Sequence, residues 1–282
     1  MTRYLALAVS TNYWKPRSNY TDNILSAIKG KVEDGDFVVV SEKAISTAIG
    51  NMVDEGTVKP SLTARVLARF WMRFIWGYPL GMLCGFGQRL LKRLRNYPLE
   101  SGSRHKQVAL EYAGFWQALM FGSEGGIDGS NLAYLYVSLP LSNADDLGKN
   151  LQSQIRHRLQ KNVCVIIADT DKTYKFRNFF FTPRPNSLKG LHSLGSGSYI
   201  MGRFLKFKKS STPLAVAGCN LSASEALKIT NIGDKARGPG SGATVWDMAA
   251  RFKVDIDNVS WEMLEAIRHK PVVIVRNLSR ES

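Results

Sequence analysis

Two aspartates stand where chemistry could be done. Asp128 lies in "EGGIDGSNLAY" (124–134), behind two glycines and ahead of a Ser–Asn pair. Asp169 closes the apolar run 163–168 in "NVCVIIADTDKTYKF", with Thr170 and Asp171 directly after it. Carboxylates paired at adjacent strand ends can hold a hard divalent ion such as Mg²⁺ or Mn²⁺ against substrate phosphates. An aspartate at a turn also caps backbone N–H groups, and for either residue taken alone that is the stronger reading. The two together, in a chain short of acids and rich in bases, bring the metal reading closer to level with it.

Other chemistries find no anchor. There is no G-x-x-x-x-G-K-[ST], no G-x-G-x-x-G after a strand and no G-x-S-x-G. Cys84, Cys164 and Cys219 are widely spaced with no C-x-x-C pair, which supports neither a zinc ribbon nor a disulfide framework. His105, His157, His192 and His269 lack metal-motif spacing, so carboxylates would have to hold any metal. The stretch "GPGSGAT" (238–244) ahead of Val245 reads either as a backbone anion nest or as a flexible loop.

The elements that must position these groups follow from apolar patterning. "RYLALAVS" predicts a first strand, and "TDNILSAIKGKVEDGD" a short helix capped by Thr21 or Asp22. "FVVV" (37–40) predicts a buried strand delivering polar residues at its C-terminal end. "KQVALEYAGFWQALMF" and "LAYLYVSLPLSN" read as further strands, and "DDLGKNLQSQIRHRLQK" as an amphipathic helix. Strands at "NVCVIIADTDKTYKF", "TPLAVAGC" and "PVVIVRNL" complete an α+β chain of mixed sheets with flanking helices, organised as a single domain over 1–282.

Residues 60–97 behave differently. They carry Arg65, Arg69, Arg73, Arg89, Lys92, Arg93 and Arg95 among many aromatics, with no acidic residue. The apolar stretch is interrupted by Arg73 and broken at Gly77–Pro79, too short to span a membrane. It predicts a basic aromatic helical hairpin inserted at about 66–97, either buried with arginines snorkelling outward or lying on an anionic surface.

Composition bounds the rest. A chain of 282 residues with 44% hydrophobic content has enough apolar material for a substantial core. A formal charge of +15 favours anionic partners. The N-terminal apolar stretch is too short for a signal peptide, which makes a cytoplasmic setting the expectation.

Taken in order, "EDGDFVVVSEKAISTAIGN", "VKPS", "EGGIDGSN", "LPLSNADDLGKNLQSQI", "NVCVIIADTDKTYK" and "ATVWDMA" resemble the coenzyme F420-0:γ-glutamyl ligase family over residues 33–275. The G-I-D-x-S-N motif and the strand–Asp–Thr segment carry most of the resemblance. It implies a γ-glutamyl ligase-like fold, an intertwined homodimer and a GTP- and metal-dependent amide ligase. Its partners would be GTP, L-glutamate and an anionic carboxylate acceptor like coenzyme F420-0, joined through an acyl phosphate. Carried over by position, the resemblance makes Asp128 and Asp169 the catalytic metal ligands, with Thr170 facing a second Mg²⁺ or Mn²⁺. It puts Lys15, Pro16, Arg17 and Ser18, then Glu42, Lys43, Thr47 and Asn131, against the nucleotide. Thr47 and Ile49 stand where the family has lysine and glutamate, and Lys172 and Thr173 where it has glycine and arginine. The other expectation is a catalytically diverged basic protein of the same fold, with peripheral membrane contact through 66–97; nucleic acid is the weaker partner.

Overall fold

The computed structural model describes residues 3–122, 124–185 and 188–280. Nine strands are present among them. They are β1 (Tyr4–Thr11), β2 (Phe37–Ser41), β3 (Met52–Asp54), β4 (Tyr136–Ser138), β5 (Cys164–Phe176), β6 (Phe179–Thr182), β7 (Leu191–Ser193), β8 (Lys208–Ala217) and β9 (His269–Asn277). Seven join one mixed sheet in the order β1-β9-β2-β5-β6-β7, with β8 on the free edge of β5; β3 and β4 pair separately. The first helices are α1 (Tyr20–Ile28), α2 (Glu42–Ile49), α3 (Leu62–Val66), α4 (Pro79–Leu83), α5 (Gln88–Arg95), α6 (Leu99–Tyr112) and α7 (Phe115–Ala118). The remaining ones are α8 (Ala144–Leu159), α9 (Ser196–Phe204), α10 (Ala223–Arg237), α11 (Val245–Phe252) and α12 (Trp261–Glu265). The α+β reading with mixed sheets holds.

Residues 37–40, 164–168 and 271–275 of the central strands are apolar throughout because both faces of the sheet are covered there. Successive side chains alternate between faces. Val38, Val40, Val165, Ile167, Val272 and Ile274 meet α1, α2 and α8 on one side. Phe37, Val39, Ile166, Val273 and Val275 meet α10 on the other. Helix α8 buries Ala144, Gly148, Leu151 and Ile155, a helical stripe, with Asp145 and Asp146 in its first turn and Arg156 and Arg158 in its last. Helix α10 opens on a reciprocal Ser222–Glu225 capping box.

Four expectations need correction. Residues 106–112 and 115–118 are helical, in α6 and α7, and no strand forms between 106 and 121 among the described residues. Gly102, Lys106 and Ala109 share the buried face of α6, and the buried lysine disguised a 3.6-residue period as alternation. Residues 132–143 contain only the three-residue β4. The cap of α1 is Asn19, whose side chain accepts from the Asp22 N–H. Cys164 and Cys219 form a disulfide between the start of β5 and the loop after β8, while Cys84 is free and buried.

The segment between β3 and β4 is largely helical. It contains α3, a ten-residue π-helix (Leu67–Trp76) and α4 to α7. Ala68, Met72, Trp76, Phe86, Leu91 and Leu94 form its own apolar cluster. The helix breaks at Gly77, and Pro79 begins α4. No helix among the described residues is long and apolar enough to cross a membrane.

Candidate functional site

A cavity of about 690 Å³ opens at the C-terminal end of β2, the position favoured for ligands in mixed α/β sheets. Its wall takes in Lys43 and Thr47 of α2, residues 127–131, the middle of β5, the loop 238–244 and the start of β9. The helical segment closes another side through Tyr97, His105 and Phe121.

The "EGGIDGSN" turn is built residue by residue around this space. Glu124 is buried and faces α6. Gly126 has φ +106°, and a Cβ there would lie 1.1 Å from Arg184 Nη1; only glycine leaves room for the guanidinium. Asp128 exchanges backbone hydrogen bonds with Ser138. Its Oδ1 accepts from the Ser130 N–H at 2.7 Å, and its Oδ2 is ion-paired to Lys43. Lys43 also donates to the Ser130 hydroxyl at 2.8 Å. Asn131, at φ +58°, ties the turn to the glycine-rich loop: its amide donates to the Gly242 carbonyl at 3.1 Å and its Oδ1 accepts from the Ser241 N–H.

Asp169 does not end its strand. β5 continues to Phe176, and its register against β8 jumps so that Asp169 faces Thr212 while Lys172 faces Ser211. Thr170 and Asp171 are the extra residues of this bulge, a device that re-aims side chains beside functional sites. The polar run 169–172 resembled a turn because it lines the cavity. Asp169 Oδ1 accepts from the Asp171 N–H at 3.2 Å. Its buried Oδ2 has no hydrogen bond among the described residues and lies 3.6 Å from Arg184 Nε, itself buried and without one.

Arg184 joins the two halves of the floor. It donates to the Gly125 carbonyl and is ion-paired to Glu42, whose Oε1 also accepts from the Leu141 N–H at 2.8 Å. Burial pushes the Glu42 carboxyl up to about 7; Arg184 opposes that shift and the Asp169 charge adds to it. Burial works against the Arg184 charge, but Glu42, Asp169 and Asp171 hold its pKa above the ordinary value.

A second charged group lies on the wall formed by the helical segment. His105 bridges Glu55 at 2.5 Å and Glu124 at 2.8 Å, and the fully buried Lys106 donates to Glu124 at 2.7 Å and to the Met120 carbonyl at 2.6 Å. Burial would lower the His105 pKa, but Glu124 and Glu55 together hold it well above the ordinary value.

The oxygen donors on the β5 side fit a hard divalent ion. Asp128, Asp169, Thr170 and Asp171 share the cavity wall, and Asp169 Oδ2 is a buried acceptor with no hydrogen bond among the described residues. No group of three or more His, Cys, Asp or Glu among the described residues makes a closed cage. Mg²⁺ is commonly held by one or two carboxylates together with substrate phosphates. An ion here would have to displace Lys43 from Asp128.

Of the residues singled out in the sequence, Lys43, Thr47, Asp128, Asn131, Asp169 and Thr170 line the cavity. Thr47 spends its hydroxyl on the Lys43 carbonyl at 2.8 Å. Glu42 lies beneath the wall, bound to Arg184. Lys15, Pro16, Arg17 and Ser18 stand off the cavity, where Lys15 pairs with Glu265 at 2.8 Å. Arg184, Glu55, His105 and Lys106 were missed. Only Glu124, inside the quoted motif, carried a local signal.

Two comparisons place the chain among known proteins. Residues 8–218 match the family model described as F420-0:Gamma-glutamyl ligase. The chain is also 35% identical to the uncharacterized protein MJ1361 of Methanocaldococcus jannaschii, over 96% of each chain.

Proposed function

The chain belongs to the F420-0:gamma-glutamyl ligase family, and from that premise we propose that it joins L-glutamate to the carboxylate of an anionic acceptor, using GTP and Mg²⁺ or Mn²⁺. At the level of reaction class it is a C–N bond-forming ligase. In our reading the acceptor carboxylate attacks the γ-phosphorus of GTP, the bond to GDP breaks and an acyl phosphate forms. The glutamate amine then attacks the acyl carbon, loses a proton and expels phosphate, leaving an amide.

Each half-reaction brings anions together, so the protein's task is to position and neutralise them. Lys43, steered by Asp128, supplies a fixed positive charge at the wall. Arg237, Arg268 and Lys270 line the cavity as well and favour polyanions. Arg184 holds Asp169 in place from below. Asp128, Asp169 and Thr170 would hold the divalent ion, which when bound offsets charge on the transferring phosphoryl group.

The observation that carries this reading is the β5 bulge, which turns Asp169 and Thr170 toward the same cavity as Asp128 and Lys43. The test is incubation with GTP, Mn²⁺, L-glutamate and a coenzyme F420-0-like acceptor, with glutamyl addition followed by mass and GDP release in parallel. We expect both, and a GTP-dependent thermal shift that requires Mn²⁺ and disappears in Asp128→Asn. No shift and no glutamyl product would overturn the proposal. The homodimer belongs to the same reading and is checked by light scattering.

A further inference from the structure

We propose that the outer face of the helical segment is a docking surface for an anionic lipid bilayer. Along α3 and the π-helix, Leu62, Val66, Phe70 and Phe74 recur every fourth residue and all are exposed, Leu62 by 79% and Phe70 by 57%. In an α-helix of 3.6 residues per turn, a four-residue step advances the face by about 40°. In the wider π-helix, closed by i→i+5 bonds, the same step falls short of a turn. The two drifts oppose each other, so the row stays on one side. Ala68, Met72 and Trp76 turn inward to the segment's own core. Past the break, Tyr78, Met82 and Leu83 are exposed as well.

Charge identifies the occupant. Residues 56–99 contain no Asp or Glu. Arg65, Arg69, Arg89 and Lys92 are exposed and make no ion pair among the described residues. Arg73 and Arg95 differ, donating to the Tyr97 and Gly77 carbonyls. An apolar row edged by unpaired cations matches a bilayer interface, where the row enters the acyl boundary and the cations meet anionic headgroups. A second copy of the chain would set arginine against arginine at a net charge of +15 each. Nucleic acid would engage the cations but leave Leu62 and Val66 without an apolar phase. The same segment also walls the cavity, through Tyr97, His105 and Phe121.

The experiment uses the full chain and sedimented vesicles. One set is phosphatidylcholine and phosphatidylglycerol in equal parts, the other phosphatidylcholine alone. Binding to the mixed vesicles should be at least about tenfold stronger, and the double variant Phe70→Ser, Phe74→Ser should lose at least about tenfold of it. Both side chains are exposed, so the variant should melt with the wild type. As an independent measurement, Phe74→Trp should shift its fluorescence to shorter wavelength on the mixed vesicles only. The proposal falls on any of three results: no binding to mixed vesicles, equal binding by the serine variant, or tighter, salt-sensitive binding to duplex DNA or single-stranded RNA than to mixed vesicles.

Discussion

The cavity has two charged walls that spend their charges differently. On the sheet side, Glu42, Arg184 and Asp169 crowd together, yet Asp169 Oδ2 and Arg184 Nε, 3.6 Å apart as an ion pair, are buried without a hydrogen bond among the described residues. On the helical side, both nitrogens of His105, the Lys106 ammonium and both oxygens of Glu124 are engaged. Buried polar atoms are rarely left without partners, because each costs about 1–3 kcal/mol. A wall that carries that cost is a wall shaped for something else to bind; a wall that does not is framework. The difference separates reactivity from support within one pocket.

The largest effect should come from breaking the framework wall. Lys106→Met removes the cation from a pair in which both partners are almost wholly buried and leaves Glu124 with His105 alone. Loss of one partner from a buried ion pair typically costs about 3–5 kcal/mol. A urea melt should show that loss, and a change below about 1 kcal/mol would end the reading of this wall as framework.

The sheet wall should respond in the opposite sense. Asp169→Asn keeps the size of the side chain and removes its charge, so glutamyl addition should fall by about 10²–10³-fold, the usual cost of deleting one preorganised electrostatic group. Stability should change far less than in Lys106→Met. Since the Asp169 charge helps to raise the Glu42 pKa, that value should drop in the variant, which carbon-13 NMR of labelled glutamate can follow. Should stability collapse while turnover survives, the two walls would have exchanged roles.

Much of the sheet wall was legible in the sequence because its residues sit in local patterns. Apolar runs announced β2 and the first half of β5. The polar residues after "FVVV" marked a true strand end where ligands gather, whereas those after "CVIIA" sit at the bulge inside β5. Glycines around Asp128 signalled a constrained turn, although the purpose of Gly126, space for Arg184, depends on a residue far along the chain. The bulge in β5 stayed hidden because it is set by pairing with β8. The helical wall was illegible for a related reason. A lysine on the buried face of α6 makes sense only once Glu124 is beside it, and nothing local to "SRHKQVALEY" tells of that neighbour.

His105 gives the finest division between the walls. It faces Glu55 at the end of β3 and Glu124 from the glycine turn, with Lys106 on the far oxygen of Glu124 and the Tyr97 ring nearby. Its pKa is raised well above 6.5 in the fold. The stabilisation it supplies is therefore present in full below the unfolded value, declines as pH rises above that value, and is gone once the raised folded value is passed. Glu124 has the opposite sign: burial alone would raise its pKa, but Lys106 and His105 hold it below 4.5. Its contribution is present above 4.5 and is lost as pH falls through the lowered folded value. Urea melts should therefore show stability declining through Glu42 between pH 4.5 and about 7 and through His105 from about pH 6.5 upward. His105→Gln should flatten the slope above about pH 7 while leaving the acid limb in place. A slope unchanged in the variant would assign the alkaline loss to another group and leave the helical wall without its pH signature.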